Sequence, residues 1–227
     1  MHDITEFELD QVGDSQLWAP SKDRFELYAV PRLLIQHSDN TPTPPSVISL
    51  GYSNTVSTRS VSKAYSLPGI RIGWIISPNK AILQRIITAR DYTTRNVSRI
   101  DDAIAIFALS SDILPKIITQ ILETQGKNIE QYDQFVKRNS ERCKWVRPRG
   151  GRTAFIHLSG SDGLPIDEVA FAGKLIDHFA VAVIPASAGF SEEVVADYKA
   201  YLRLSLGQPV EAVAEGIRSI ELAMQGL

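Results

Sequence analysis

The sequence predicts an α/β chain in two lobes, and three observations carry that prediction. Short β-branched runs bounded by Pro, Gly and Asn recur from residue 46 onward, and apolar stripes at helical spacing alternate with them. One long helical stretch starting near residue 113 and running toward residue 142 then separates an earlier group of elements from a later one, as a bridge between two lobes does. With 227 residues, 44% hydrophobic and 22% charged, the chain is long and apolar enough to bury a sizeable core.

Taken in order, residues 1–22 carry scattered acids with no sustained period and read as irregular. Residues 25–36 are apolar enough for a buried strand, although Pro31 argues against its centre. Thr41-Pro42-Thr43-Pro44-Pro45 is a short loop. The runs 46–50 and 54–59 lead into Lys63, Pro68-Gly69 makes a turn, and residues 70–77 are β-branched and apolar like a core strand. Ile82, Leu83, Ile86 and Ile87 mark a helical stripe over 80–90. Residues 101–109 and 113–122 continue as helix, the second running on through a charged stretch toward Arg142. Beyond it come a strand over 152–158, an amphipathic helix over 166–179, short strands over 181–184 and 201–206, and a closing helix over 210–224. That last alternation describes a compact α+β lobe.

Composition narrows the function classes. A formal charge of -2 argues for neither nucleic acid nor an anionic membrane as partner. Charged residues interrupt every apolar stretch before a membrane-spanning length, and the polar, acidic start lacks a basic region followed by an apolar run, so a cytoplasmic address is expected. His2, His37, His157 and His178 have no ligand spacing between them, and no metal site is argued. The single cysteine, Cys143, has no internal disulfide partner and reads as a buried or half-buried thiol.

The chemistry concentrates between Ser60 and Trp74, which reads Ser-Val-Ser-Lys-Ala-Tyr-Ser-Leu-Pro-Gly-Ile-Arg-Ile-Gly-Trp. One lysine with the Ser60 and Ser62 hydroxyls beside it, and one arginine, in a strand, turn, strand frame suit an anchored pyridoxal phosphate. Its aldehyde requires an amine, which Lys63 offers. Its phosphate requires donors and positive charge, which Ser60, Ser62 and the planar fork of Arg71 can supply.

Ser60-x-Ser62-Lys63 followed by Pro68-Gly69-x-Arg71-x-Gly73 resembles the cofactor-lysine signature of class I/II aminotransferases, the fold type I pyridoxal phosphate enzymes. The later lobe also resembles them. Pro148-x-Gly150-Gly151 precedes the strand Thr153-Ala154-Phe155-Ile156, Val183-Ile184-Pro185 follows, and Tyr201-Leu202-Arg203-Leu204-Ser205 matches the family's "R-x-S" strand. Around Arg90-Asp91-Tyr92-Thr93-Thr94 the likeness is to fungal-type members. The resemblance implies that Lys63 carries the cofactor, that Ser60 and Arg71 hold its phosphate, and that Arg203 takes the α-carboxylate of an amino acid substrate. It also implies a homodimer, a partial large domain over residues 1–115 with 1–44 divergent, and a small domain over 116–227. Arg147 and Arg152 receive no such role.

Family members carry an Asp a few dozen residues before the lysine, which keeps the cofactor's ring nitrogen protonated, and a Tyr three positions later, which bonds the ring's phenolic oxygen. Counting back from Pro44-Pro45-Ser46 places these positions in residues 27–32, Leu-Tyr-Ala-Val-Pro-Arg, where no carboxylate stands; Asp23 and Glu26 are the nearest acids. Only 62 residues precede the lysine, too few for the half-domain expected upstream. The expectation is therefore a truncated member that exchanges an amino group between an amino acid and a 2-oxo acid, weakly active or inactive alone. A carbon-sulfur lyase or aminocyclopropane carboxylate synthase-like enzyme is the first alternative. A non-catalytic fragment is the second.

Overall fold

The computed structural model describes residues 26–28, 46–94, 96–189 and 198–226, the first three as backbone. Expectations for residues 1–22, for Asp23, for the 41–45 loop and for most of the 25–36 strand lie outside the described residues. The described residues up to Ile117 form one compact unit, and those from Ile118 onward form another.

In the first unit, β1 (Glu26–Tyr28), β2 (Thr55–Ser60) and β3 (Gly73–Ile76) form a sheet of order β1-β2-β3. β1 runs parallel to β2 with Tyr28 opposite Ser57, and β3 runs antiparallel with Gly73 opposite Ser60. Between β2 and β3 lie the one-turn helix α1 (Val61–Ala64) and a 3-10 turn over Pro68–Ile70. Helices α2 (Lys80–Asp91) and α3 (Arg99–Ala108) follow. Asn79 starts α2 by accepting from the amides of Ala81 (2.9 Å) and Ile82 (3.3 Å), and Ser98 starts α3 by accepting from Asp101 N at 3.3 Å. The core here is small: Val61, Ile70 and Ala105, with Tyr65, Leu67, Ile72, Trp74 and Leu109 packed against it.

Two expectations are corrected in this unit. Lys63 sits on a helical turn and not in a plain strand-turn-strand, because Ser60 caps that turn. The core strand expected over 70–77 shrinks to β3, whose Ile75 and Ile76 are 43% and 37% exposed; β3 lies at the sheet's edge, and β-branched composition reports strand propensity, not burial.

In the second unit, α4 (Leu114–Arg138, its first turn belonging to the first unit) packs with α5 (Glu168–Phe179) and α6 (Val210–Met224) on a four-stranded antiparallel sheet. Its strands β4 (Cys143–Trp145), β5 (Thr153–Leu158), β6 (Ile184–Pro185) and β7 (Tyr201–Ser205) are ordered β4-β5-β7-β6. Strict alternation along β5 and β7 turns Ala154, Ile156, Leu158, Leu202 and Leu204 into the core, where Phe135 and Ile129 of α4, Leu175 of α5 and Ile217 and Ile220 of α6 meet them.

Polar groups lock the ends of this layer. Asn128 of α4, fully buried, donates through Nδ2 to the carbonyls of Leu206 (2.9 Å) and Gln208 (2.8 Å), fixing the turn from β7 into α6. At the C-terminus of α6, Arg142 Nη1 donates to Met224 O and Lys174 Nζ to Ala223 O, both at 2.9 Å, so two cations meet the negative end of the helix dipole. The buried carboxylate of Glu168 accepts from Ala200 N at 2.8 Å, holding Ala200 in its left-handed conformation at φ 65° just before β7.

Sequence reading missed β4, and the strand expected over 181–184 is confined to Ile184–Pro185. Ala180 ends α5 in the left-handed region, and Val181 N bonds back to Leu175 O at 3.1 Å, which holds that stretch against the helix end.

Candidate functional site

Ser60 is both the last residue of β2 and the N-cap of α1. Its Oγ accepts from Ser62 N at 3.1 Å, lies 2.8 Å from Ser62 Oγ, and reaches the carbonyl of Ile72 at 3.1 Å. Val61 N also donates to Ile72 O at 3.1 Å, and the fully buried Val61 side chain pins the turn beside Ile70. The turn that carries Lys63 is thus fastened to the residue next to Arg71. Lys63 and Arg71 are both exposed on this fastened loop.

Arg71 ends the Pro68–Ile70 turn in the left-handed region at φ 50°, a conformation costing an L-residue about 1 kcal/mol. Its Nη1 donates to Pro68 O at 3.1 Å, which orients the guanidinium and leaves Nε and Nη2 for an anion. Ser60, Ser62, Lys63 and Arg71 therefore belong to one closed loop, while Arg203 stands in the other unit.

Gly73 controls how tightly that loop closes. A Cβ there would stand 2.8 Å from the carbonyl oxygen of Arg59, on the strand opposite, and backbone cannot step aside as a flexible side chain does. Gly73→Ala is expected to part β2 from β3 at Ser60 and to cost about 1–3 kcal/mol, read as a lower urea midpoint for the first unit.

The opposite face of β2 was not singled out from the sequence. Tyr52 Oη, Ser57 Oγ and Arg59 Nε are buried without hydrogen-bond partners, although Arg59 Nη2 reaches Ser46 Oγ at 3.4 Å. Alternation places Ser57 and Arg59 on the face away from Ser60, and period-two spacing alone does not tell which face is covered.

In the second unit, Arg203 lies on β7 between β5 and β6, so it is a central-strand residue. It is half-buried on the face away from the helices, directly opposite Phe155 of β5 and Ile184 of β6. Among the described residues its guanidinium meets no carboxylate, whereas Arg138 pairs with Glu221 and Arg147 with Asp133, the latter at 2.8 Å. His157 and Tyr201 share this face, their rings edge to face with centroids 5.0 Å apart. Desolvation, helped by the charge of Lys144 on β4, lowers the His157 pKa below its ordinary 6.5, and its Nδ1 is buried without a partner.

Burial pushes the Cys143 thiol up to about 12, which leaves it protonated and unfit as a nucleophile. Among the described residues there is no cluster of three metal-ligating side chains, and no helix is long and apolar enough to cross a membrane. Of the stretch 27–32, where the acidic partner of the cofactor ring was sought, Leu27 and Tyr28 are described, both in β1; the rest lies outside the described residues.

Comparison with known proteins identifies the family. An aspartate aminotransferase of Pyrococcus horikoshii is 26% identical over 183 residues, covering 79% of this chain and 44% of the relative. A capreomycidine synthase of Streptomyces vinaceus is 27% identical over 126 residues, covering 56% of this chain and 31% of the relative. The chain thus spans less than half the length of these curated relatives. An α-aminoadipate aminotransferase of Thermus thermophilus, solved in complex with N-(5'-phosphopyridoxyl)-L-leucine, shares the fold at a TM-score of 0.69 and 19% identity, over 88% of this chain and 49% of that one. The model of the family "Aminotransferase class I and II" matches residues 38–220, which take in both the lysine loop and the Arg203 strand, and the chain belongs to that family.

Proposed function

We propose that the chain is the cofactor-lysine and carboxylate-binding part of a pyridoxal phosphate-dependent aminotransferase, working as a cytoplasmic homodimer like typical members of its family. The observation that carries this reading is the fastened loop, which presents an amine, two hydroxyls and an arginine with two uncommitted donor nitrogens within twelve residues. That donor set fits a phosphorylated aldehyde.

Lys63 Nζ is the group that bonds the cofactor. Ser60 Oγ, Ser62 Oγ and the remaining guanidinium donors of Arg71 hold the phosphate. When bound, pyridoxal phosphate supplies the electron sink that lets the Cα–H bond of an amino acid ionise. Lys63 Nζ, when not bonded to the cofactor, would take up the Cα proton and return it, and the bound cofactor would carry the amino group between an amino acid and a 2-oxo acid. Arg203 orients the substrate through its α-carboxylate, with both oxygens facing the fork.

A second reading keeps the same residues and changes the outcome at Cα, as in a lyase or synthase. The specific observation in its favour is the capreomycidine synthase among the relatives.

Arg71→Ala tests the phosphate assignment against Arg90→Ala, whose arginine lies at the end of α2 and bonds Thr94 O. Loss of two charge-assisted hydrogen bonds should weaken cofactor retention on the order of 100-fold for Arg71 and leave Arg90→Ala at wild-type level. Equal effects would place the phosphate elsewhere.

A further inference from the structure

We infer that Glu168 of α5 and Asn128 of α4 are positioning residues for Arg203: they pin the two ends of β7 and so select the register that sets Arg203 opposite Phe155. The inference rests on the reading of Arg203 as the α-carboxylate anchor and adds what places it.

Alternation on its own leaves that register open. Leu202, Leu204 and Leu206 on one side of the pairing and Ala154, Ile156 and Leu158 on the other are all buried. A slip of one residue turns the leucines out of the core and is excluded. A slip of two keeps every residue on its own face, yet carries Arg203 about 7 Å along β5, to stand opposite Thr153 or His157. With two residues, β6 is too short to decide between these registers.

Two buried polar side chains make the choice. Leu158 N donates to Ala200 O at 2.9 Å, and in an unbroken antiparallel ladder Ala200 N would return the bond to Leu158 O. Instead Ala200 N donates to Glu168 Oε2 at 2.8 Å, and Leu158 O accepts from Ile166 N at 3.4 Å. The carboxylate thus ends the ladder at Ala200, whose φ of 65° lies outside the range of strand residues. Ala200 is also wholly enclosed, so a slip would bring Tyr198 or Leu202 to a place that holds a methyl group, or leave Glu168 without its amide. At the other end Leu206 N closes the ladder on Arg152 O at 2.7 Å, and Asn128 Nδ2 donates to the carbonyls of Leu206 and Gln208. Glu168 is 5% exposed and Asn128 0%, so losing these partners to a slip is penalised at both ends together.

NMR of the full chain tests this. Phe155 and Arg203 form a non-hydrogen-bonded pair, because the ladder bonds fall on the even-numbered pairs, and their Hα atoms should give a cross-strand contact in the wild type. The probe is 4-methylpentanoate, a carboxylate without an amine, which should shift the Arg203 Nε–Hε signal. In the double variant Glu168→Leu/Asn128→Leu the Phe155–Arg203 contact is expected to weaken in favour of Thr153 or His157, and the probe to bind about tenfold or more weaker. Glu168→Gln keeps an acceptor for Ala200 N and should retain the contact and bind the probe within about twofold of wild type. Phe135→Leu, which loosens the same core two turns along α4 from Asn128, controls for lost stability and should behave like Glu168→Gln. If the double variant does not fold, each single leucine variant is read in the same way, with about threefold weaker binding expected. Leucine variants that fold with wild-type contact and affinity would overturn the inference, as would a loss in Phe135→Leu equal to theirs. If the contact is lost as expected but wild-type Arg203 does not respond to the probe, the anchor reading falls and the register assignment stands.

Discussion

Lys63→Ala is expected to abolish stable capture of pyridoxal phosphate. Wild-type chain mixed with the cofactor and desalted should keep a visible absorbance band, and the variant should keep none. The loop would still offer Ser60, Ser62 and Arg71 to the phosphate, so weak reversible binding survives; loss of the covalent link lowers retention by on the order of 100-fold or more. The variant should fold normally, because Lys63 is exposed and the turn is held by Ser60, Val61 and Ile72. Retention unchanged in Lys63→Ala would mean that another lysine bonds the cofactor.

Phe135→Ala has the largest expected effect on stability. Phe135 is 1% exposed and sits on α4 within the cluster that joins helices to sheet in the second unit. Removing a fully buried ring leaves a cavity that the packed sheet and helices fill only in part, at a cost of about 3–5 kcal/mol. Urea unfolding followed at Trp145, whose ring lies 6.2 Å from that of Tyr132 one turn before Phe135, should show the midpoint of this unit falling steeply. A shift worth under about 1 kcal/mol would mean that the site relaxes far more than a close-packed core allows.

Local features were the legible ones. The apolar stripe of Ile82, Leu83, Ile86 and Ile87 marks α2, whereas Ser60, Asn79, Ser98 and Asp167 were not singled out as caps, although each bonds amides only two or three residues on. The alternation in Thr-Ala-Phe-Ile-His-Leu and Tyr-Leu-Arg-Leu-Ser likewise announces two half-buried strands.

What stayed hidden depends on pairing between distant segments. Ile75 and Ile76 read as core but lie exposed, because edge or centre is a property of the sheet and not of the strand. β4, three residues long, offers too little period to detect. That Arg203 is central and flanked by Phe155 and Ile184 follows only from the order β5-β7-β6, which no spacing within β7 encodes. The buried orphan atoms of Tyr52, Ser57 and Arg59 are invisible for the same reason.

The central claim, that the Ser60 to Arg71 loop anchors the cofactor, is tested most directly by borohydride reduction of the cofactor-loaded wild-type chain followed by peptide mapping. The expected result is a pyridoxyl group on Lys63 and on no other lysine. A pyridoxyl group on a different lysine, with Lys63 unmodified, would contradict it.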